Sequence, residues 1–180
     1  TTPHRQLFNW HSPENIAEEL IKTWGEAGLI CLDGDGSKLG RNAILAVDPI
    51  DQICCRGLRE DPNSSNPFNA LRNLKPGHWT GWLSYEAGAW IEPKNSWKLD
   101  SMSTLWIASH DPVFRFDLEK KQLWLEGLNQ KRLNKFATWL KQIRPKNDSR
   151  KSKKVCNQRS KQPRISLNSW KWLTNNGEYS

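Results

Sequence analysis

The chain has 180 residues, enough for one domain with a core, and 36% of them are hydrophobic, including eleven tryptophans. The formal net charge of +8 is concentrated in residues 141–164, which carry ten lysines and arginines against the single acid Asp148. The rest of the chain is close to neutral, which disfavours nucleic-acid binding by the folded part, and no stretch reaches the roughly 18 apolar residues of a membrane span.

The N-terminal part of the sequence predicts one helix followed by three strands. Ser12-Pro13-Glu14 is a typical helix start, with an N-cap serine, a proline at the first helical position and an acid in the first turn. Apolar positions then recur at helical spacing up to Trp24. The glycine-rich residues 34–40 predict a turn between the first two strands. The strands are predicted over Leu29–Asp33 (as a buried strand), Ala43–Val47 and Gln52–Arg56.

The second part predicts two more helices and four strands. Asn66-Pro67 predicts the start of a short helix, and the aromatic run from Trp79 to Tyr85 predicts a strand. Gly81, in the middle of that run, indicates a bulge or the close approach of another backbone. The remaining elements are strands over Leu105–Ala108, Val113–Leu118 and Gln122–Leu125, the last two as a hairpin, and a helix over Gln130–Ile143. These elements together predict an α+β fold, with mostly antiparallel sheets and flanking helices.

Composition divides the chain into three parts. Residues 1–143 contain the periodic apolar positions and are predicted to form one domain. Residues 144–166 have many like charges and few apolar side chains, which predicts a disordered basic linker. Residues 167–180 begin with Trp170 and Trp172 at strand spacing, and we expect them to start a further domain.

The sequence shows no catalytic, cofactor-binding or metal-binding set of its own. The four cysteines and four histidines lack metal-ligand spacing, and Ser84 lies outside a Gly-x-Ser-x-Gly context. Adjacent Cys54 and Cys55 on a strand would point to opposite faces. Reduced thiols are the simplest interpretation, and they favour a cytoplasmic location.

Residues 77–93 read Gly-His-Trp-Thr-Gly-Trp-Leu-Ser-Tyr-Glu-Ala-Gly-Ala-Trp-Ile-Glu-Pro. This stretch resembles the Gly-aromatic-Leu-(Ser/Gly)-Tyr-(Asp/Glu) segment in the N-terminal domain of anthranilate synthase component I and aminodeoxychorismate (para-aminobenzoate) synthase component I. Weaker matches to the same family occur in order along the chain, from about Leu7 to Ser180. They are residues 29–34, the Gly40-Arg41 block ending at Pro49, the helix start at residues 66–71, the hairpin at residues 110–125, and Glu178-Tyr179.

The resemblance implies a non-catalytic N-terminal domain of a chorismate-utilising synthase. The whole protein would bind chorismate and Mg2+ in a C-terminal domain and take ammonia from a glutamine amidotransferase subunit or domain. Its catalytic residues would lie beyond Ser180, so we expect the chain as given to be inactive, as a truncated product or a gene fragment. No nucleic acid or membrane is expected as a partner.

The resemblance also implies a vestigial tryptophan pocket, formed by Asp33, Gly34, Arg41 and Asn42. In anthranilate synthases the corresponding strand end and arginine block hold tryptophan as a feedback inhibitor. Gly34 stands where the family has a serine, so one hydroxyl is missing. We therefore favour the aminodeoxychorismate branch, which supplies folate, over the anthranilate branch of tryptophan biosynthesis. The alternative is that residues 34–40 form only a hairpin turn and that Arg41 makes a salt bridge at a strand edge.

A second function class remains open, that of a basic module that binds an anionic partner through residues 144–164. Sequence-tolerant strand binding usually combines charges with interleaved aromatic side chains, and residues 141–164 contain no aromatic residue. A linker is therefore favoured. Micromolar nucleic-acid binding that weakens steeply with salt, and is lost when residues 146–164 are deleted, would favour the module.

Overall fold

The computed structural model describes residues 2–92, 94, 96–98 and 101–144 of the chain. Within them the fold is α+β, with two antiparallel sheets and flanking helices, as predicted. The helices are α1 (Pro13–Trp24), α2 (Pro67–Arg72), a 3-10 helix (Tyr85–Trp90) and α3 (Gln130–Gln142). The strands are β1 (His4–Phe8), β2 (Ile30–Leu32), β3 (Asn42–Ala46), β4 (Asp51–Cys55), β5 (His78–Leu83), β6 (Leu105–His110), β7 (Val113–Asp117) and β8 (Gln122–Gly127).

The first sheet has five strands in the order β1-β8-β7-β3-β2, and every neighbouring pair is antiparallel. Helices α1 and α3 pack on one of its faces and enclose the main core. The fully buried members of that core come from both helices and from three of the strands: Ile16, Leu20, Ala43, Leu45, Val47, Phe114, Phe116, Leu123, Leu125, Leu133, Phe136, Ala137 and Leu140. The buried side chains of α3 recur at helical spacing, and this apolar stripe faces the sheet.

Local sequence signals fix where the two long helices begin and end. The side chain of Ser12 accepts a hydrogen bond from the Asn15 backbone N–H, so that Ser12 caps α1. Gly25 ends α1 with a φ of 80°, a left-handed conformation in which glycine carries no side-chain penalty. Asn129 caps α3 in the same way as Ser12, by accepting from the Arg132 backbone N–H at 3.0 Å.

The second sheet has three strands in the order β4-β6-β5, and α2 packs on one of its faces. A smaller core forms there from Cys55, Leu105 and Ile107, with Leu71, Leu74 and Trp79 against it. Gly81 confirms the predicted close approach, because a Cβ there would meet the Trp106 carbonyl oxygen and lie 2.7 Å from the Cα of Ile107. Glycine at this position allows β5 and β6 to pair through their full length.

The chain passes from the first sheet to the second after β3 and returns before β7. Arg132 of α3 hydrogen-bonds to the backbone at both of these crossings. Its guanidinium donates to the backbone carbonyl of Asp111 and, at 2.8 Å, to that of Asp48. The Asp111 carboxylate accepts from the Leu128 and Asn129 backbone N–H groups at the start of α3. One arginine and one aspartate thus hold the junction of the two sheets against the helix.

Three features differ from the sequence prediction. The strand around residues 30–32 lies at the edge of the first sheet with Cys31 and Leu32 exposed, so the prediction of a buried strand was wrong. The aromatic run ends as a strand at Leu83, and Tyr85 begins the 3-10 helix instead. The strand His4–Phe8 was not predicted at all. The predicted linker and further domain, from residue 145 onward, lie outside the described residues.

Candidate functional site

The four residues of the predicted tryptophan pocket lie together in and beside the loop that joins β2 to β3. Asp33 and Asn42 are exposed, and Gly34 and Arg41 are half-buried. The loop is closed by hydrogen bonds of its own, including one from the Gly36 N–H to the Gly40 carbonyl at 2.9 Å. The Asp33 carboxylate accepts from the Gly34 N–H at 2.9 Å. The structure therefore brings the four positions together at one edge of the first sheet.

Arg41 makes a salt bridge within the domain. Its Nε lies 3.0 Å from both carboxylate oxygens of Asp117, and its Nη2 also donates to that carboxylate. Nη1 lies 3.1 Å from the carboxylate of Glu119. A ligand carboxylate would have to compete with these two acids for the guanidinium. This geometry is that of the alternative interpretation, in which Arg41 is a salt bridge at a strand edge.

Gly34 has no room for a side chain in this loop. A Cβ at this position would meet the carbonyl oxygen of Gly40 and would lie 2.7 Å from that of Asn42. Both neighbours are backbone atoms, which cannot move aside as a flexible side chain can. A serine at position 34 would require the loop to change its shape.

The contact between Arg41 and Asp117 predicts a pH dependence of stability. The hydrogen bond from Arg41 holds the pKa of the Asp117 carboxyl at about 2, below its ordinary value of 3.8. Since the folded-state pKa is the lower one, the contribution to stability is complete above the ordinary value and is lost as the pH falls to about 2. Urea unfolding between about pH 5 and pH 2 should therefore show that Asp117→Asn costs less stability as the pH falls.

Glu119→Gln is the matched control for this prediction, because Glu119 contacts the same arginine from an exposed position. The control should keep the pH dependence of the unmodified chain. An Asp117→Asn deficit that stays constant over the whole pH range would contradict the role of this ion pair.

The outer face of the first sheet, opposite α1 and α3, carries apolar side chains in register. Strand alternation points these side chains away from the main core. The aligned positions cross all five strands in the order Leu7, Trp124, Arg115, Ile44 and Leu32, and all of them except Arg115 are apolar. The two ends of this row are well exposed, Leu7 at 58% and Leu32 at 48%. A solvated sheet face is usually polar, so this row indicates a face that another element covers.

A charged cluster lies on the same outer face and joins the two sheets. The Glu126 carboxylate lies 3.5 Å from Nε2 of His78 on β5, and Arg5 and Arg115 approach it at 3.8 and 3.6 Å. The guanidinium of Arg5 also lies 4.3 Å from the ring centroid of Trp124. Because two arginines share one carboxylate, the cluster has an excess of positive charge.

Four buried polar atoms without partners lie around the end of β5. They are Nε1 of Trp82 and of Trp90 and the hydroxyl oxygens of Ser84 and Thr104, none of which has a hydrogen-bond partner among the described residues. Ser84 follows β5 and Thr104 precedes β6, and the two are neighbours, since the Ser84 N–H donates to the Thr104 carbonyl at 2.9 Å. Leaving a buried polar group unpaired costs about 1–3 kcal/mol, so such groups are few in folded proteins.

Cys31, Cys54 and Cys55 are free thiols. Cys54 is exposed and Cys55 buried, as the strand prediction required, and burial raises the pKa of the Cys55 thiol.

Within residues 2–92, 94, 96–98 and 101–144, no group of three or more histidine, cysteine or acidic residues is arranged to hold a metal ion. The helices in that part of the chain are all too short or too polar to cross a membrane.

No family model and no curated protein matches the chain.

The structure also shows features of individual residues that could not be recognised in the sequence. Trp82, Ser84 and Trp90 belong to the stretch that carries the family resemblance, but nothing in the sequence says that their polar atoms are unpaired. Likewise, the pairing of Arg115 with Trp124 appears only once β7 and β8 are in register.

Proposed function

We propose that residues 1–143 form the non-catalytic N-terminal domain of a chorismate-utilising synthase component I. One observation carries the proposal. The stretch that resembles the family, residues 77–93, also carries three large apolar side chains that stay exposed, Leu83, Tyr85 and Ile91. Such a surface is what a domain needs when a second domain is to pack against it.

The proposal can be tested on the coding sequence and on the protein. A reading frame that continues past Ser180 into a Gly-Asp-(Ile/Cys)-Tyr-Gln-type segment would support it, and a stop codon there in the natural gene would contradict it. The extended protein, supplied with chorismate, Mg2+ and ammonium, should form an aminated product. A glutamine amidotransferase partner should then allow glutamine to replace ammonium.

The chain of 180 residues alone should form neither anthranilate nor aminodeoxychorismate from chorismate, Mg2+ and ammonium. The reason is that positioned proton transfer needs a paired acid and base near the substrate, and the sequence offers no such pair. Fluorescence detection of anthranilate and chromatography for aminodeoxychorismate provide the measurement. Turnover clearly above the uncatalysed background would reveal an active site within the chain.

Between the two branches, we favour aminodeoxychorismate synthesis. Two features of the β2–β3 loop support this choice: the missing hydroxyl at Gly34 and the engagement of Arg41 by Asp117 and Glu119. Both would weaken a pocket for tryptophan, because specific binding depends on a few well-placed polar groups.

Free L-tryptophan should accordingly give no binding heat at low micromolar concentration. A charge-assisted hydrogen bond is worth about 1.5–3 kcal/mol, so the loss of one hydroxyl lowers affinity by roughly ten- to a hundredfold. Calorimetry measures this directly. Gly34→Ser should not restore binding, because the loop has no space for the side chain. A low-micromolar dissociation constant for the unmodified chain would contradict this choice and would favour the feedback-regulated anthranilate branch.

A further inference from the structure

β5 is the longest edge strand in the described part of the chain, and it lacks the features that usually protect a sheet edge. The two sheets end in β1, β2, β4 and β5. β2 has three residues, β1 carries Arg5 and β4 begins with Asp51. β5 has six residues and contains no proline, lysine or acid. Short strands, charges and prolines are common means by which proteins keep an edge from pairing with another chain.

Three residues of β5 direct their backbone groups away from β6. The Ser84 N–H donates to the Thr104 carbonyl at 2.9 Å, one position beyond the last registered pair of β5 with β6. In an antiparallel pair, positions hydrogen-bonded to the neighbouring strand alternate with positions whose N–H and C=O groups point outward. The outward positions on β5 are therefore Trp79, Gly81 and Leu83.

Solvent reaches this edge of the sheet. Gly81 is exposed, and because glycine has no side chain, its exposed surface belongs to the main chain. Leu83, two positions further, is 45% exposed. An edge with open N–H and C=O groups can be extended by another strand, which supplies matching main-chain hydrogen bonds.

The edge of β5 is complementary to itself. When two copies of β5 run antiparallel about a two-fold axis at Gly81, Gly81 faces Gly81 of the second copy and Trp79 faces Leu83. Each outward residue then donates one hydrogen bond and accepts one, so every outward N–H of both copies is paired. The glycines place no side chains at the centre, and each exposed leucine gains an aromatic cross-strand neighbour.

This pairing also enlarges the smaller core. Trp79 packs against Cys55, Leu105 and Ile107. Leu83 pairs with Leu105 and therefore lies on the same face of the sheet. A two-fold axis normal to the sheet keeps that face continuous from one copy to the next. Leu83 of the second copy thus comes to lie beside Trp79, where it is shielded from solvent.

We propose that two copies of this chain associate through antiparallel pairing of their β5 strands, centred on Gly81. The two three-stranded sheets then form one continuous sheet across the dimer. The inference goes beyond the proposed function and does not depend on it, since Tyr85 and Ile91 lie outside the paired strands. A monomeric chain would refute the pairing alone, and a stop codon after Ser180 in the natural gene would refute the synthase assignment alone.

Sedimentation equilibrium of the full chain tests the pairing. Between about 2 and about 200 micromolar, a range that covers weak association, the average mass should rise from the 20.9 kDa of one chain toward twice that value. Leu83→Pro should weaken association at least about tenfold, because each copy loses one outward N–H while the ladder to β6 keeps its donors. Leu83→Ala is the matched control, since it keeps the N–H, and it should weaken association less.

Far-UV circular dichroism checks that both variants keep the fold. A chain that stays monomeric over the whole range would overturn the proposal. Association of the folded Leu83→Pro variant as strong as that of the unmodified chain would overturn it as well.

Hydrogen exchange followed by NMR gives a measurement that needs no variant. The amides of Trp79, Gly81 and Leu83 should exchange about threefold slower or more at the highest concentration than at the lowest, because pairing buries their N–H groups. The amides of β1, an edge strand outside the contact, are the control and should not change. Protection of the three β5 amides at every concentration would mean that the same chain covers this edge, and would overturn the proposal. Slowing confined to other strands would also overturn it.

Discussion

Phe136→Ala should lower the free energy of unfolding by about 3–5 kcal/mol, the usual cost of removing a fully buried aromatic ring. Phe136 is completely buried between α3 and the first sheet. Its ring stacks on that of Trp24 from α1, with centroids 4.7 Å apart and planes within 3°, and it meets Phe114 of β7 edge-on at 6.0 Å. The substitution therefore opens a cavity where both long helices meet the sheet.

Urea denaturation followed by far-UV circular dichroism gives the measurement for this prediction. Lys131→Ala is the control, because Lys131 is exposed on the same helix. It should change stability by less than about 0.5 kcal/mol, as surface substitutions usually do. A cost below about 1 kcal/mol for Phe136→Ala would mean that α3 does not pack on the sheet as described.

Gly81→Val should cost about 3 kcal/mol or more, through a clash instead of a cavity. The new side chain would run into the Trp106 carbonyl and the Ile107 backbone of the paired strand, which cannot yield without breaking the ladder between β5 and β6. We expect the ring pair Trp82 and Trp106, now stacked at 4.8 Å, to lose its fixed geometry. Near-UV circular dichroism should report that loss, because it depends on the fixed packing of the tryptophans.

Thr80→Val is the control for Gly81→Val, since it introduces the same side chain one position earlier on β5. Valine suits a strand, so this variant should stay close to the stability of the unmodified chain. If both variants behaved alike, the close approach of the two backbones at Gly81 would be disproved.

The sequence predicted the parts of the fold that depend on local signals. Ser12 and Asn66 carry cap side chains, and the spacing of Leu133, Phe136 and Leu140 fixes which face of α3 is buried. The close approach of β6 at Gly81 could be predicted because a glycine inside a strand of aromatic residues usually marks a bulge or a neighbouring backbone. In each case the residues that decide the structure lie within a few positions of one another.

The remaining features depend on distant partners and could not be predicted in the same way. His4–Phe8 becomes a strand because β8 pairs with it, and the apolar β2 is exposed because it falls at the sheet edge. The partner of Arg41, Asp117, lies 76 residues further along the chain. The unpaired donors around Ser84 likewise depend on how β5 meets β6. A sequence read alone shows the chemical groups but not which of them already satisfy one another.

The passage of the chain between the two sheets has a consequence for how the domain can vary. Leu45 of β3 pairs with Phe114 of β7, so the chain leaves the first sheet and rejoins it at neighbouring positions. The three-stranded sheet and α2 thus form an insertion between two adjacent strands, anchored at its base by Arg132. Loops inside the insertion, such as residues 56–66, can lengthen or shorten without shifting the register of the five-stranded sheet. Variation in this domain should therefore accumulate in the insertion while its host sheet stays constant.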